Sequence, residues 1–248
     1  MRLLVKYEIL FEGTFGDLKT DPISLQPRKD AKPYHGRPYP IPHSQLKVFK
    51  KEVARLEELG VLKRQPESEW GSPTFIIPKK NGTVRFLSDF REVNKRIIRT
   101  PFPIPKISSV LQEMEGFTYA TALDLNMGYY TIRLDPDASK VCTIVLPWGK
   151  YSYMRLPMGI SGSPDFFQEK MTSLMRSLEY VRTYIDDLLI ISSGTFDDHL
   201  LKNEEVMSCL KIAGLRVNAP KSSFAHYTKL CTWDIYLHRK VLSLNLKK

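Results

Sequence analysis

A chain of 248 residues that is 42% hydrophobic and 26% charged can bury a substantial core, which excludes wholesale disorder. Its 37 Lys and Arg against 27 Asp and Glu leave a formal charge of +10, the balance of a protein that prefers polyanions. The longest apolar runs, 74–77 and 188–191, are far shorter than the ~18 residues a membrane span needs. Residues 1–6 carry no secretory signal, and Cys142, Cys209 and Cys231 are too widely spaced for a disulfide framework or a zinc site, so an intracellular location is expected.

Residues 1–43 read as a proline-rich arm, because Pro22, Pro27, Pro33, Pro38, Pro40 and Pro42 block helix interiors and central strands; the expectation is an extended segment outside the core. Ser44 is placed to cap a helix that carries Phe49, Val53, Leu56 and Leu59 at helical spacing and stops at Gly60. Strands are predicted at 74–77 and 84–90 around an Asn81-Gly82 turn, forming a flap tipped with Lys79 and Lys80. A short helix over 108–115 precedes a strand over 117–123 that delivers Asp124 at its end. Further strands are predicted at 130–134, 141–146 and 151–156, the last two joined by a turn at 147–150. Ser163 and Pro164 are suited to open a helix with Phe167, Met171, Leu174 and Leu178 on its apolar stripe. Apolar segments at 181–184 and 188–192 flank Asp186 and Asp187, and a last helix over 197–213 ends at Gly214. The order of elements predicts an α+β fold with helices packed on one face of the sheet.

Asp124, Asp186 and Asp187 carry the chemistry. Adjacent carboxylates in apolar surroundings repel one another unless a cation neutralises them, and hard divalent ions prefer oxygen ligands. Two such ions ~3.5–4 Å apart can activate an attacking oxygen and stabilise a leaving one in nucleotidyl transfer, a reaction suited to a basic protein. Taken alone, an Asp-Asp pair equally well decorates a turn.

Tyr184-Ile185-Asp186-Asp187, followed by Leu-Leu-Ile-Ile-Ser, resembles the catalytic motif of reverse transcriptases. Leu123-Asp124-Leu125-Asn126-Met127-Gly128-Tyr129 resembles the family's first catalytic motif, Phe86 to Lys95 its fingers motif, and Leu156-Pro157-Met158-Gly159 with Ser163-Pro164 its template-side motif. Together with Trp70-Gly71-Ser72-Pro73 and Phe102-Pro103-Ile104-Pro105, they are similar to the pol polyprotein of gypsy-type long-terminal-repeat retrotransposons over roughly residues 20–226. The resemblance implies a right-hand polymerase, with mainly fingers over 44–122 and mainly palm over 123–226, an antiparallel palm sheet bearing the catalytic hairpin. It would copy an RNA or DNA template into DNA from a primer, using dNTPs and two Mg2+ ions for which Mn2+ can substitute. It has no membrane role, and an intact element would add RNase H and integrase and work in the cytoplasm or a virus-like particle.

The resemblance also implies residue roles. Asp124, Leu125, Asp186 and Asp187 form the metal set, with the three aspartates catalytic. Lys79, or alternatively Lys80, and Arg85 grip the triphosphate, whose leaving pyrophosphate gathers charge; a solvated hairpin tip is the plain alternative for all three. Tyr129, five residues after Asp124, is the aromatic gate against a 2′-hydroxyl, or an ordinary strand aromatic. Tyr184 and Met158 also touch the nucleotide, with Met158 standing where retroviral relatives carry glutamine. Asp89, Gly159, Ser163 and Pro164 face the template. Lys221, in Ala219-Pro220-Lys221-Ser222, is a proton donor to pyrophosphate or a surface lysine.

After Phe224 the family continues into a strand reading Leu-Gly-Tyr or Leu-Gly-His, whereas this chain reads Cys231-Thr232-Trp233-Asp234-Ile235-Tyr236. The codons ACN-TGG-GAY-ATH-TAY, shifted to start at N, give Leu, Met or Val, then Gly, then Tyr or His. A frameshifted tail over 227–248 is therefore expected, lacking primer grip and thumb, with weak or no polymerisation. The alternatives are a nucleic-acid-binding remnant without turnover and an RNA-dependent RNA polymerase, the latter opposed by Tyr129.

Overall fold

The computed structural model describes residues 2–78, 84–105 and 116–227. Lys79, Lys80, the Asn81-Gly82 turn, the helix expected over 108–115 and the tail from 228 lie outside the described residues. The described helices are α1 (Arg2–Lys6), α2 (His43–Glu58), α3 (Arg91–Asn94), α4 (Pro136–Val141), α5 (Ser163–Leu174) and α6 (Phe196–Ala213). The strands are β1 (Leu62–Arg64), β2 (Ser72–Pro78), β3 (Val84–Ser88), β4 (Tyr119–Asp124), β5 (Thr143–Leu146), β6 (Gly149–Tyr153), β7 (Val181–Tyr184), β8 (Asp187–Ser192) and β9 (Ser223–Tyr227). They fall into two compact units, one made of Met1–Gly16, Phe102–Asn126 and Phe167–Lys248 and the other of Asp17–Pro101 and Met127–Phe166. These units do not follow the sequential divisions expected at 43/44 and 122/123.

The first unit is built on a four-stranded sheet in the order β7-β8-β4-β9, with every neighbouring pair antiparallel. Side chains alternate faces along each strand, and on one face Thr121 and Ser192 meet His199 of α6 while Thr183 meets Gln168 of α5. The helices therefore cover that face, as the sequence predicted. Along β8 every second residue is buried, Leu188, Ile190 and Ser192, and the residues between are half-buried. Helix α6 begins with a reciprocal capping box between Thr195 and Asp198 and stops where Gly214 turns left-handed at φ 81°.

The second unit holds a mixed sheet in the order β1-β6-β5-β2-β3, in which β2 and β5 run parallel and the other pairs antiparallel. Phe49, Val53 and Leu56 of α2 are buried, and Phe49 meets the edges of Phe86 and Trp148 at 5.3 and 5.5 Å between ring centres. Truncating Phe49 to alanine removes a fully enclosed ring and leaves a cavity. It is expected to destabilise the protein by about 3–5 kcal/mol, read as a lower urea midpoint.

Several local expectations change in this unit. Ser44 does not cap α2, because Pro42 occupies the cap position with no side-chain hydrogen bond, and the helix already includes His43. Instead of a strand at 130–134, a 3-10 turn spans Gly128–Thr131, closed by the Thr131 hydroxyl donating to the Gly128 carbonyl at 2.6 Å. The strand expected from 141 begins as α4, which Asp135 caps by accepting from the Ala138 N–H at 2.7 Å, with Pro136 in its first turn. Ser163 is the first residue of α5 rather than the residue before it, and its hydroxyl donates to the Pro157 carbonyl at 2.7 Å. The proline-rich segment is extended but not outside the core. Leu18, Ile23 and Leu25 are buried, and single bridges pair Ile23 with Leu134 and Pro27 with Ile97.

Candidate active site

Asp124 is the last residue of β4, and the chain pins its backbone from both sides. On the hairpin side, the Leu125 N–H donates to the Asp186 carbonyl at 2.8 Å. On the other side, the Asp124 N–H donates to Ser222 Oγ at 3.1 Å, its carbonyl accepts from the Asn218 N–H at 2.8 Å, and Leu125 bridges Val217. Ser222 is itself fixed by donating to the Asn218 carbonyl at 2.9 Å.

The β7–β8 hairpin is closed by a two-residue turn, Ile185-Asp186, between the pair Tyr184 and Asp187. The β4–β8 register sets Asp187 directly opposite Asp124. By strand alternation, Asp124, Asp187 and Tyr184 lie on the sheet face away from α5 and α6. Burial raises the Tyr184 phenol.

The Asp124 side chain is only 8% exposed, which makes its charge costly without a cation. Lys221 supplies one, its Nζ lying 3.5 Å from Asp124 Oδ1. Two ionised carboxylates at the ~5 Å typical of directly opposed residues repel by about 3 kcal/mol at an effective dielectric of 20. That repulsion favours a divalent ion between them. Among the described residues no three His, Cys, Asp or Glu side chains form a ready-made metal cage. A pair of carboxylates fits magnesium all the same, since that ion is commonly held by one or two carboxylates completed by water and substrate phosphates.

The predicted residues therefore divide. Asp124, Leu125, Tyr184, Asp186, Asp187 and Lys221, up to 97 positions apart in sequence, come together in the first unit. Arg85, Asp89, Tyr129, Met158, Gly159, Ser163 and Pro164 belong to the second. There Arg85 is exposed on β3, Tyr129 is half-buried in the 3-10 turn, and Met158 is 50% exposed. Gly159 adopts φ 98°, and its carbonyl accepts from Asn94 Nδ2 at 2.8 Å. Ser163 is buried and Pro164 half-buried.

Asp89 is already engaged. It accepts from Arg91 Nε at 2.8 Å and from the Tyr39 hydroxyl at 2.9 Å, and the Arg91 guanidinium holds its carboxyl down at about 2. The group that Asp89 presents to solvent is Arg91, with 81% of its side chain exposed. Sequence reading missed Arg91, and it missed Gln168, whose Oε1 accepts from the Ile185 N–H at 2.7 Å. A signal for the second was available: a glutamine beside Phe167 within the apolar stripe of a helix needs buried hydrogen-bond partners.

The family model described as reverse transcriptase (RNA-dependent DNA polymerase) matches residues 77–243, which includes most of the segment read as out of frame. The chain is 30% identical over 205 residues to the retrovirus-related Pol polyprotein from transposon 412 of Drosophila melanogaster, a match covering 79% of this chain and 16% of that protein. It is 30% identical over 190 residues to the transposon Tf2-3 polyprotein of Schizosaccharomyces pombe, covering 76% of this chain and 14% of that one. The chain thus spans less than a fifth of these curated relatives. Among solved structures, the foamy viral protease-reverse transcriptase in complex with an RNA/DNA hybrid matches with a TM-score of 0.83 at 25% identity, covering 90% of this chain and 30% of that one. The prototype foamy virus protease-reverse transcriptase CSH mutant matches with a TM-score of 0.81 at 29% identity, covering 90% of this chain and 30% of that one.

Proposed function

Because the chain belongs to the reverse transcriptase family of retrotransposon pol polyproteins, we propose that it carries the nucleotidyl-transfer centre of an RNA-directed DNA polymerase, which adds dNTPs to a primer 3′ end. The observation that carries this reading is the cross-strand pairing of Asp124 with Asp187 at the end of the sheet, with Asp186 in the adjoining turn. Reverse transcriptase domains use divalent metal ions. Here Asp124, Asp186 and Asp187, with Leu125, would hold two Mg2+ or Mn2+ ions. When bound, such ions supply Lewis-acid activation of the attacking hydroxyl and charge neutralisation at the leaving pyrophosphate.

The remaining steps belong to the protein's own groups. Lys221, whose Nζ lies 3.5 Å from Asp124 Oδ1, would give a proton to the leaving pyrophosphate. Lys79 and Arg85 neutralise triphosphate charge, and Tyr184 and Met158 contact the nucleotide. Asp89, with the Arg91 it orients, acts on the template together with Gly159, Ser163 and Pro164. Template and primer are held mainly through phosphates, so binding weakens steeply with salt. The pol polyproteins among the relatives support the reading that RNase H and integrase are partners and that the chain works in the cytoplasm or a virus-like particle. No helix among the described residues is long and apolar enough to cross a membrane.

Primer extension on an RNA template tests the reading. Weak, distributive incorporation of dNTPs with little incorporation of rNTPs is expected, while binding without extension supports a non-catalytic remnant. Tyr129→Ala is expected to raise rNTP use relative to dNTP use by about tenfold or more. Equal use of both substrates by the unaltered protein would favour an RNA polymerase instead. The proposed frameshift is checked by the coding DNA, whose alternative frame should continue into a thumb.

A further inference from the structure

Ile185 is a strained point of the catalytic hairpin. It adopts φ 52°, a left-handed conformation that a β-branched residue resists. Gln168 of α5, only 1% exposed, reaches this turn. Its Oε1 accepts from the Ile185 N–H at 2.7 Å, which fixes the orientation of the amide. Its Nε2 lies 2.9 Å from Thr183 Oγ1, 3.1 Å from the Thr183 carbonyl and 3.2 Å from Thr172 Oγ1. One side-chain amide therefore grips the chain on both sides of Tyr184, immediately before Asp186 and Asp187.

We propose that Gln168 is a positioning residue for the metal-binding acids. It holds Ile185 left-handed, and so keeps the Ile185-Asp186 turn tight and Asp187 in register with Asp124. Without the amide, relaxation of Ile185 into an ordinary conformation rotates the peptide and swings Asp186 away from Asp124. This rests on the reading of the three aspartates as the metal site.

The test uses the full chain and three changes. Gln168→Met keeps the volume and removes every hydrogen bond. Gln168→Glu keeps an oxygen facing the Ile185 N–H. Ile185→Gly takes positive φ without strain and makes the clamp dispensable. In Gln168→Met, amide exchange at Ile185 should accelerate about tenfold or more, and Mn2+ affinity measured by electron paramagnetic resonance should fall by about as much. Gln168→Glu, which still accepts from the Ile185 N–H but cannot donate to the Thr183 carbonyl, should restore only part of the exchange protection. The Gln168→Met/Ile185→Gly double variant should recover Mn2+ affinity, and it also serves if Gln168→Met alone fails to fold. Unchanged exchange at Ile185 in Gln168→Met overturns the proposal, as does a double variant that binds Mn2+ no better than the single one. If the unaltered protein binds no Mn2+, the metal-site reading fails, and the exchange measurement still decides whether Gln168 holds the turn.

Discussion

Asp186→Ala abolishes whatever primer extension the purified chain performs, with an expected loss on the order of 10³-fold or more. On the proposed reading these acids would hold the metal that supplies several kcal/mol of transition-state charge stabilisation, and each 1.36 kcal/mol is a factor of ten. The loss should come without unfolding. Asp186 occupies a turn, and removing one of several clustered negative charges relieves repulsion, so the thermal midpoint should hold or rise slightly. Asp124→Asn should behave alike in activity, because its carboxylate is nearly buried beside Lys221 and faces Asp187. Extension that survives both changes would remove the basis for the site.

Acidification should weaken the catalytic sheet through His199. This imidazole is buried between two strands and a helix, with Nε2 2.9 Å from Thr121 Oγ1, Nδ1 2.9 Å from Ser192 Oγ, and Tyr119 stacked on its ring. Burial, reinforced by the charge of Lys202, lowers its pKa from 6.5 to about 4. Between those values the unfolded chain takes up a proton that the folded one refuses. The stability due to the neutral ring is thus complete above pH 6.5 and is lost as pH falls toward 4. The loss at pH 4 is about 3 kcal/mol, since every tenfold difference in proton affinity between the folded and unfolded chain corresponds to about 1.4 kcal/mol. Urea midpoints from pH 7 down to pH 4 should show this slope, and His199→Gln, which cannot protonate, should flatten it. An equal slope in both proteins would mean that other groups carry the acid sensitivity. Asp89 acts in a separate window, because its stabilising effect disappears only between 3.8 and about 2.

The two experiments probe one strand from opposite sides. Thr121, which meets His199, lies on the helix-covered face of β4, and Asp124 lies three residues on, on the other face. Disturbing the buried side of this strand therefore acts on the acids through register rather than contact. The same holds for Gln168, which reaches the turn from the covered face.

Much of the hairpin was legible because its signals are local. The apolar run, the acidic turn and the strand over 181–184 follow from neighbouring residues, and so do α6 with its Gly214 stop and the strand that ends at Asp124. The family motifs singled out three acids and Lys221, which the structure brings into one unit. Reading failed where a local signal was outvoted. The 130–134 segment looks like a strand by composition, but the Thr131 hydroxyl closes a turn instead. Ser163 has the chemistry of a cap, yet it sits inside α5 as its first residue. The proline-rich segment cannot enter a helix or a central strand, but nothing prevents Leu18, Ile23 and Leu25 from being buried along an extended path.

Residue order alone pointed to the family, the α+β class and the acidic hairpin, because these rest on short motifs and on periodicities of two and 3.6 residues. Only tertiary structure decided that Asp187 stands across from Asp124, that Lys221 reaches Asp124, and that Gln168 grips the strained turn. Each of those facts is a pairing between distant segments, set by strand register and by helix packing on the sheet. A one-residue slip would turn every side chain of a strand to the other face, and no local pattern specifies which partner a strand finds.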